Sequence, residues 1–207
     1  MTGRKHRRLN RPELGRELLI LAIALAAVFQ FGCGEPFKVK PKTDLPPGRF
    51  GAVARAGAIE LQAESITDED VLYHVFDANL IMAGLFPVRV VIANTGATPA
   101  SIKKASFSVV SSDGISYKPV SGSRAFKRLM RYYEIENYQK FGYRQSRDDF
   151  LSYSLDVNGP LDAGQRSGFL FFAVPPDKAR EPGFSLVVRH VDSRDSKGSE
   201  DVKLKLN

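Results

Sequence analysis

Three histidines, at positions 6, 74 and 190, and a single cysteine at 33 are the residues of this chain with the widest chemical range. A hydrolytic triad needs a nucleophile, a base and an acid that orients the base. No Gly-x-Ser-x-Gly elbow accompanies the histidines. His74 lies among Val71, Leu72, Val75 and Phe76 on a short expected helix, which reads as a structural position. His190 closes an apolar strand ahead of a charged turn, a rim position. The acidic stretch from Asp192 to Asp201 suggests calcium, which requires oxygen ligands at alternating positions and glycine at the sixth. Counted from Asp192, the third position is Arg194 and the sixth is Lys197, so the stretch reads as a solvated hairpin loop. Asp148-Asp149 could supply half of a carboxylate pair, but capping after Ser146 explains it equally. No phosphate-cradling glycine loop is present. We expect no catalytic residue, no metal and no cofactor.

The remaining concentration of chemistry is Arg124 to Arg147. It holds seven bases (Arg124, Lys127, Arg128, Arg131, Lys140, Arg144 and Arg147) against Glu134 and Glu136, a local charge of +5. Phe126, Met130 and Tyr133 fall at i, i+4 and i+7, one helical stripe. Arg124, Lys127, Arg128 and Arg131 largely face away from it. The segment is expected to be a helix from Ser123 to about Tyr138 followed by an irregular tail, aromatics inward and bases outward. Those four bases are either a solvated face or a contact surface for acidic lipid, cell-wall polymer or an envelope protein. The formal charge of the whole chain is +7, but residues 1–32 carry six Lys or Arg against two acids, and the remainder is only +3. That balance argues against nucleic acid as a partner.

The leader explains the charge asymmetry. A basic segment, MTGRKHRRLNRPELGRE, precedes an uncharged run of 15 residues from Leu18 to Gly32. As a helix the run would span about 22 Å, short of the roughly 20 residues needed to cross a bilayer. A basic flank, a short apolar run and small residues at its end form a secretory signal. Gln30-Phe31-Gly32-Cys33 resembles the processing motif of bacterial lipoproteins at Gly32 and Cys33, and departs from it at Gln30 and Phe31. The resemblance implies that Cys33 carries the lipid anchor and that residues 1–32 are removed. It also implies an exported, membrane-anchored protein. Gly34 resembles lipoproteins passed to an outer membrane more than those retained by Asp. A free thiol beside an uncleaved anchor, or an ordinary cleavage site, is the alternative for Cys33. Residues 33–50 contain Pro36, Pro41, Pro46 and Pro47 and are expected to form a semi-extended tether.

Residues 51–207 carry the folded domain. Residues 58–64 alternate apolar and polar, the period of a half-buried strand. Thr67 to Asp70 has the spacing of a capping box, with Ile66 and Val71 placed for a hydrophobic staple, so a helix should run to about Phe76. Further strands are expected at 86–92, 101–110, 150–157, 168–174, 184–191 and 202–206, with a hairpin at Asp113-Gly114. Pro87 suits the first residue of a strand or an edge. About seven short strands without βαβ alternation predict a mainly β, antiparallel two-sheet sandwich with one or two inserted short helices. The passage from Leu161-Asp162-Ala163-Gly164-Gln165 to Phe172-Ala173-Val174-Pro175 resembles bacterial immunoglobulin-like domains, which implies that fold class. The expected function is a non-enzymatic binding or assembly accessory of the cell envelope. An envelope enzyme whose carboxylates converge only in three dimensions, or a small-ligand carrier with a cavity between the sheets, remains open at this level.

Overall fold

The computed structural model describes residues 38–41, 45–135, 140–191 and 200–206. Cys33, the leader and the acidic stretch 192–199 lie outside the described residues.

The first strand pair follows from side-chain alternation and one glycine. Strand β1 (Ala52–Ala56) turns through Gly57, at φ 53°, into β2 (Ile59–Ser65), with Ala56 opposite Ile59. Ile59, Leu61 and Ala63 point inward and are at most 1% exposed, while Glu60 and Gln62 are only partly covered. Helix α1 (Glu69–Phe76) follows. Its cap is Asp68, whose carboxylate accepts from the Val71 amide at 3.1 Å, one residue later than the Thr67 expected. A carboxylate at this position also meets the positive end of the helix dipole. The helix ends at Phe76 as expected, on Asp77 in the left-handed region at φ 54°.

Strand β3 (Leu85–Asn94) lies in the middle of the first sheet, between β2 and β7 (Gly164–Ala173). Pro87 is its third residue, neither first nor at an edge strand, contrary to the expectation from sequence. The sheet tolerates it because residue 87 turns its polar backbone toward β2, whose ladder ends at Ser65 opposite Val88. The Pro87 carbonyl accepts from the Ile66 amide, and the missing N–H would have pointed to the same vacant end. The first sheet has the order β1-β2-β3-β7-β6, with β6 at Pro119–Val120. The second has the order β5-β4-β8-β9: β4 (Ser106–Val110), β5 (Ser116–Tyr117), β8 (Ser185–Val191) and β9 (Glu200–Lys205). All ladders between these strands are antiparallel. The Asp113-Gly114 turn joins β4 to β5, with Gly114 at φ 86°. The architecture is thus a mainly β, two-sheet antiparallel sandwich.

The helical material exceeds the one or two short helices expected. Helix α2 (Gly122–Tyr132) is capped by Ser121 Oγ, which accepts from Arg124 N at 3.3 Å. Instead of an irregular tail and a strand over 150–157, helix α3 spans Lys140–Ser152. Within it Ser146 and Phe150 are buried at 0% and 1%. Only Ser154 and Leu155 behave as strand, through Leu155 N to Phe169 O at 3.0 Å. A one-turn helix α4 covers Pro176–Ala179.

Rings bind the helical layer to β7. Phe76 of α1 meets Phe169 at 5.1 Å, Tyr153 at 5.6 Å and Phe150 at 5.8 Å between centroids. Phe150 stacks on Phe171 at 4.9 Å. Phe169 and Phe171 therefore share one face, as their even spacing requires. Phe172 lies on the other, opposite Phe86, which meets Phe184 of the β8 side at 4.7 Å. At Leu85–Val88 of β3 the first sheet is buried on both faces, with the ring cluster of the helices on one and the second sheet on the other.

Candidate functional site

Helix α2 supplies the candidate surface. Ala125, Phe126, Leu129 and Met130 are buried, and Arg124, Lys127, Arg128 and Arg131 are exposed. The stripe and the basic face are thus where the spacing puts them, with Tyr133 half-buried at the helix end. Arg128 also braces the fold, because its Nε donates to the Ala83 carbonyl at 2.8 Å. Gly84 makes room for it, since a Cβ there would stand 2.4 Å from the Arg128 guanidinium. Two shallow hollows flank the helix. One, of 450 Å³, lies among Ala83, the four bases and Tyr132; the other, of 360 Å³, among Lys127, Met130, Arg131 and Tyr143.

The surroundings of this face are amphiphilic. Large apolar side chains exposed among the described residues are Val53, Tyr73, Met82, Ile115 and Tyr132. Three of the five connect to the end of α2. Tyr132 is part of the helix and meets Tyr133 edge-on at 5.0 Å. The Asn79 amide donates to the Tyr133 hydroxyl at 2.9 Å, and the Met82 amide to Asn79 Oδ1 at 3.2 Å. Tyr73 adjoins the Tyr133 phenol; burial, foremost, and this neighbour hold the phenol's pKa above its ordinary value. Tyr73 and Met82 went unnoticed in the sequence. Tyr73 stands off the Leu72, Val75 and Phe76 stripe of its helix, the one signal that could have marked it.

The segment read as a tether is laid on the domain at 38–41 and 45–50. Lys38 N donates to Asp77 Oδ2 at 3.1 Å, and Lys40 N to Val75 O at 3.1 Å. The Tyr153 hydroxyl donates to the Lys40 carbonyl. Val39 and Leu45 are packed against the core. Farther on, Arg89 Nη1 reaches Pro46 O at 2.8 Å and Glu64 Oε1 at 3.4 Å, and Glu64 also accepts from Arg49 N. A cleft of 470 Å³ lies between this strap and the β2–α1 junction. It is not between the sheets, where a small-ligand carrier would need its cavity, and the Glu64 and Arg89 on its wall neutralise one another.

His74 is exposed rather than packed in the core, and His190 is exposed beside a bulge at φ 58°, its amide donating to Asp201 Oδ1 at 3.2 Å. Asp148 is held by Arg147 at 2.9 Å and Asp149 by Gln145 at 3.0 Å. Among the described residues no three His, Cys, Asp or Glu side chains converge as metal ligands would.

Fold and surface together define a two-sheet β-sandwich with a helical layer that presents a basic, aromatic-bordered face. No protein-family model and no curated protein matches the chain. Solved structures that resemble it include two from Bacillus subtilis. The yjhA protein from Bacillus subtilis aligns over 76% of this chain and 98% of that one, at 15% identity and TM-score 0.42. A "putative lipoprotein (ycdA)" from Bacillus subtilis subsp. subtilis str. 168 aligns over 74% of this chain, at 12% identity and TM-score 0.36. This chain spans 38% of that protein's length.

Proposed function

We propose that this chain is an exported, lipid-anchored module of a bacterial cell envelope, held at Cys33, that works by binding or assembly rather than by catalysis. One observation carries the reading: the uncharged run Leu18 to Gly32, too short to span a bilayer, ends directly at the lone cysteine behind a basic flank. The module's contact surface is the basic face of α2, at Arg124, Lys127, Arg128 and Arg131. Among the described residues no helix is long and apolar enough to cross a membrane. Acyl chains on Cys33 would hold the protein at about 0.8 kcal/mol per buried methylene. In a host with two membranes Gly34 favours the outer one.

Intact mass of the protein extracted from host membranes tests the reading. The expected species begins at Cys33 and carries lipid. A chain that begins at Met1, or an unmodified Cys33, refutes it. Cys33→Ser should release the domain from the membrane fraction or stall its processing.

A further inference from the structure

The geometry points to a partner for the basic face: the anionic headgroup surface of the same membrane that holds the anchor. This rests on lipidation at Cys33. The length of chain between anchor and domain sets the first constraint. Lys38 is already fastened to the domain, through its amide to Asp77 Oδ2 at 3.1 Å, and Lys40 through its amide to Val75 O. Four residues lie between Cys33 and Lys38, and the five steps from one to the other reach at most about 18 Å when fully extended. A domain of this size has a radius of gyration of about 15 Å and hence a diameter of about 40 Å. The reach is less than half the diameter. The side of the domain that receives Lys38 therefore cannot turn away from the bilayer.

That side is the amphiphilic one. Asp77, which holds Lys38, caps α1 one turn beyond Tyr73, its amide bonded to the Tyr73 carbonyl at 3.0 Å. Two residues after Asp77, Asn79 binds the Tyr133 hydroxyl at the end of α2. The tether thus enters near Tyr73, Met82 and Tyr132, at 50%, 40% and 44% exposure, on the side where α2 ends, the helix whose outer face carries the bases. Half-exposed tyrosines bordered by bases are the composition of a membrane interface, where the ring takes the headgroup level and the cation meets anionic lipid. The acids nearby do not cancel the field. Glu69 is paired with Arg180 at 2.9 Å, and Asp70, Asp77 and Glu134 stand against the four bases of α2 and the exposed Lys38 and Lys40 of the strap, which leaves this side net positive. The anchor delivers the domain within reach of the charged surface, and the bases then select its orientation.

The test uses the full chain purified from host membranes and reconstituted in vesicles of phosphatidylcholine alone or with added phosphatidylglycerol. Mass first establishes the lipid on Cys33; without it this inference and the proposed function fall together. A spin label is placed at Met82→Cys, with a control at Ala97→Cys beyond the far end of β3, about 30 Å along that strand. With phosphatidylglycerol present, label 82 should be shielded from an aqueous quencher and reached by a lipid-soluble one, while label 97 stays in water. Neutralising Arg124 and Lys127 to Gln should lower the ratio of docked to undocked protein about 30-fold, taking about fivefold per base near an anionic surface. A long Gly-Ser insertion between Glu35 and Pro36 should lower it as well, by diluting the domain near the bilayer. A lipidated protein whose label 82 is as aqueous as label 97 on acidic vesicles overturns the docking while the anchored-module reading stands. Shielding of label 82 by added anionic wall polymer but not by acidic vesicles assigns the face to the polymer and overturns it equally.

Discussion

Two glycine-to-alanine substitutions should shift stability in opposite directions. Gly168 lies in β7, where the Ser154–Leu155 segment crosses. A Cβ at 168 would stand 2.6 Å from both Leu155 Cα and Leu155 N and 3.0 Å from Ser154 C. These are backbone atoms, so no side chain can swing aside, and ordinary contact at about 3.5–4.0 Å requires the segment to retreat by about 1 Å. Two hydrogen bonds would suffer, Phe169 N to Tyr153 O at 2.7 Å and Leu155 N to Phe169 O at 3.0 Å. At about 0.5–1.5 kcal/mol each, with some strain on the buried Tyr153 ring, Gly168→Ala should destabilise the domain by about 2–4 kcal/mol. Gly142, in α3, has nothing within 4 Å of its would-be Cβ. Gly142→Ala should stabilise by about 0.5–1 kcal/mol, because alanine loses less backbone entropy in a helix. Urea unfolding of residues 36–207 measures both. With a slope near 2 kcal/mol/M, the first midpoint falls by about 1–2 M and the second rises by about 0.3–0.5 M. A Gly168→Ala protein within about 0.5 kcal/mol of the parent would refute the close backbone crossing.

Other outcomes follow from the same contacts. Removing the strap, so that the chain begins at Gly51 rather than Pro36, should cost about 3 kcal/mol, since it uncovers the sites of Val39 and Leu45 and strips Glu64 and Arg89 of backbone partners; unchanged urea midpoints would show the strap to be dispensable. Phe76→Ala, at the centre of the ring cluster, should cost about 3–5 kcal/mol by the same assay. The Asp113 carboxyl is held below its ordinary value of 3.8, chiefly by the Ser111 hydroxyl that donates to it. A depressed folded-state value contributes stability above the unfolded pKa, and that contribution is lost as pH falls through the folded one. Carboxyl NMR titration should therefore place Asp113 below 3.8, and Ser111→Ala should move its midpoint upward.

Local pattern reached far into this molecule. Alternation in 58–64, realised one residue later as β2, the α1 boundary at Phe76, the Asp113-Gly114 turn and the apolar run before Pro175 each need only neighbours along the chain, and each is realised. The amphipathic cut of α2 belongs with them, because a helical period sorts bases from aromatics whatever the helix packs on.

Tertiary structure decided the rest. Leu151, Tyr153, Leu155 and Val157 alternate as a strand would, while Tyr143, Ser146 and Phe150 repeat as a helix would. Both periods are written in one stretch. The helix prevails through Ser152 because Phe150 finds Phe171 and Phe76, residues of other elements. Pro87 sits inside a central strand only because the neighbouring ladder ends one residue away, a fact of register rather than of propensity. The strap is the plainest case. A proline-rich sequence announces extended chain and no more; that it lies on the domain depends on Val75, Asp77 and Tyr153, residues 35 to 113 positions away. The same pairing at a distance gathers Tyr73, Met82 and Tyr132 around the end of the basic helix, which no window along the chain could show.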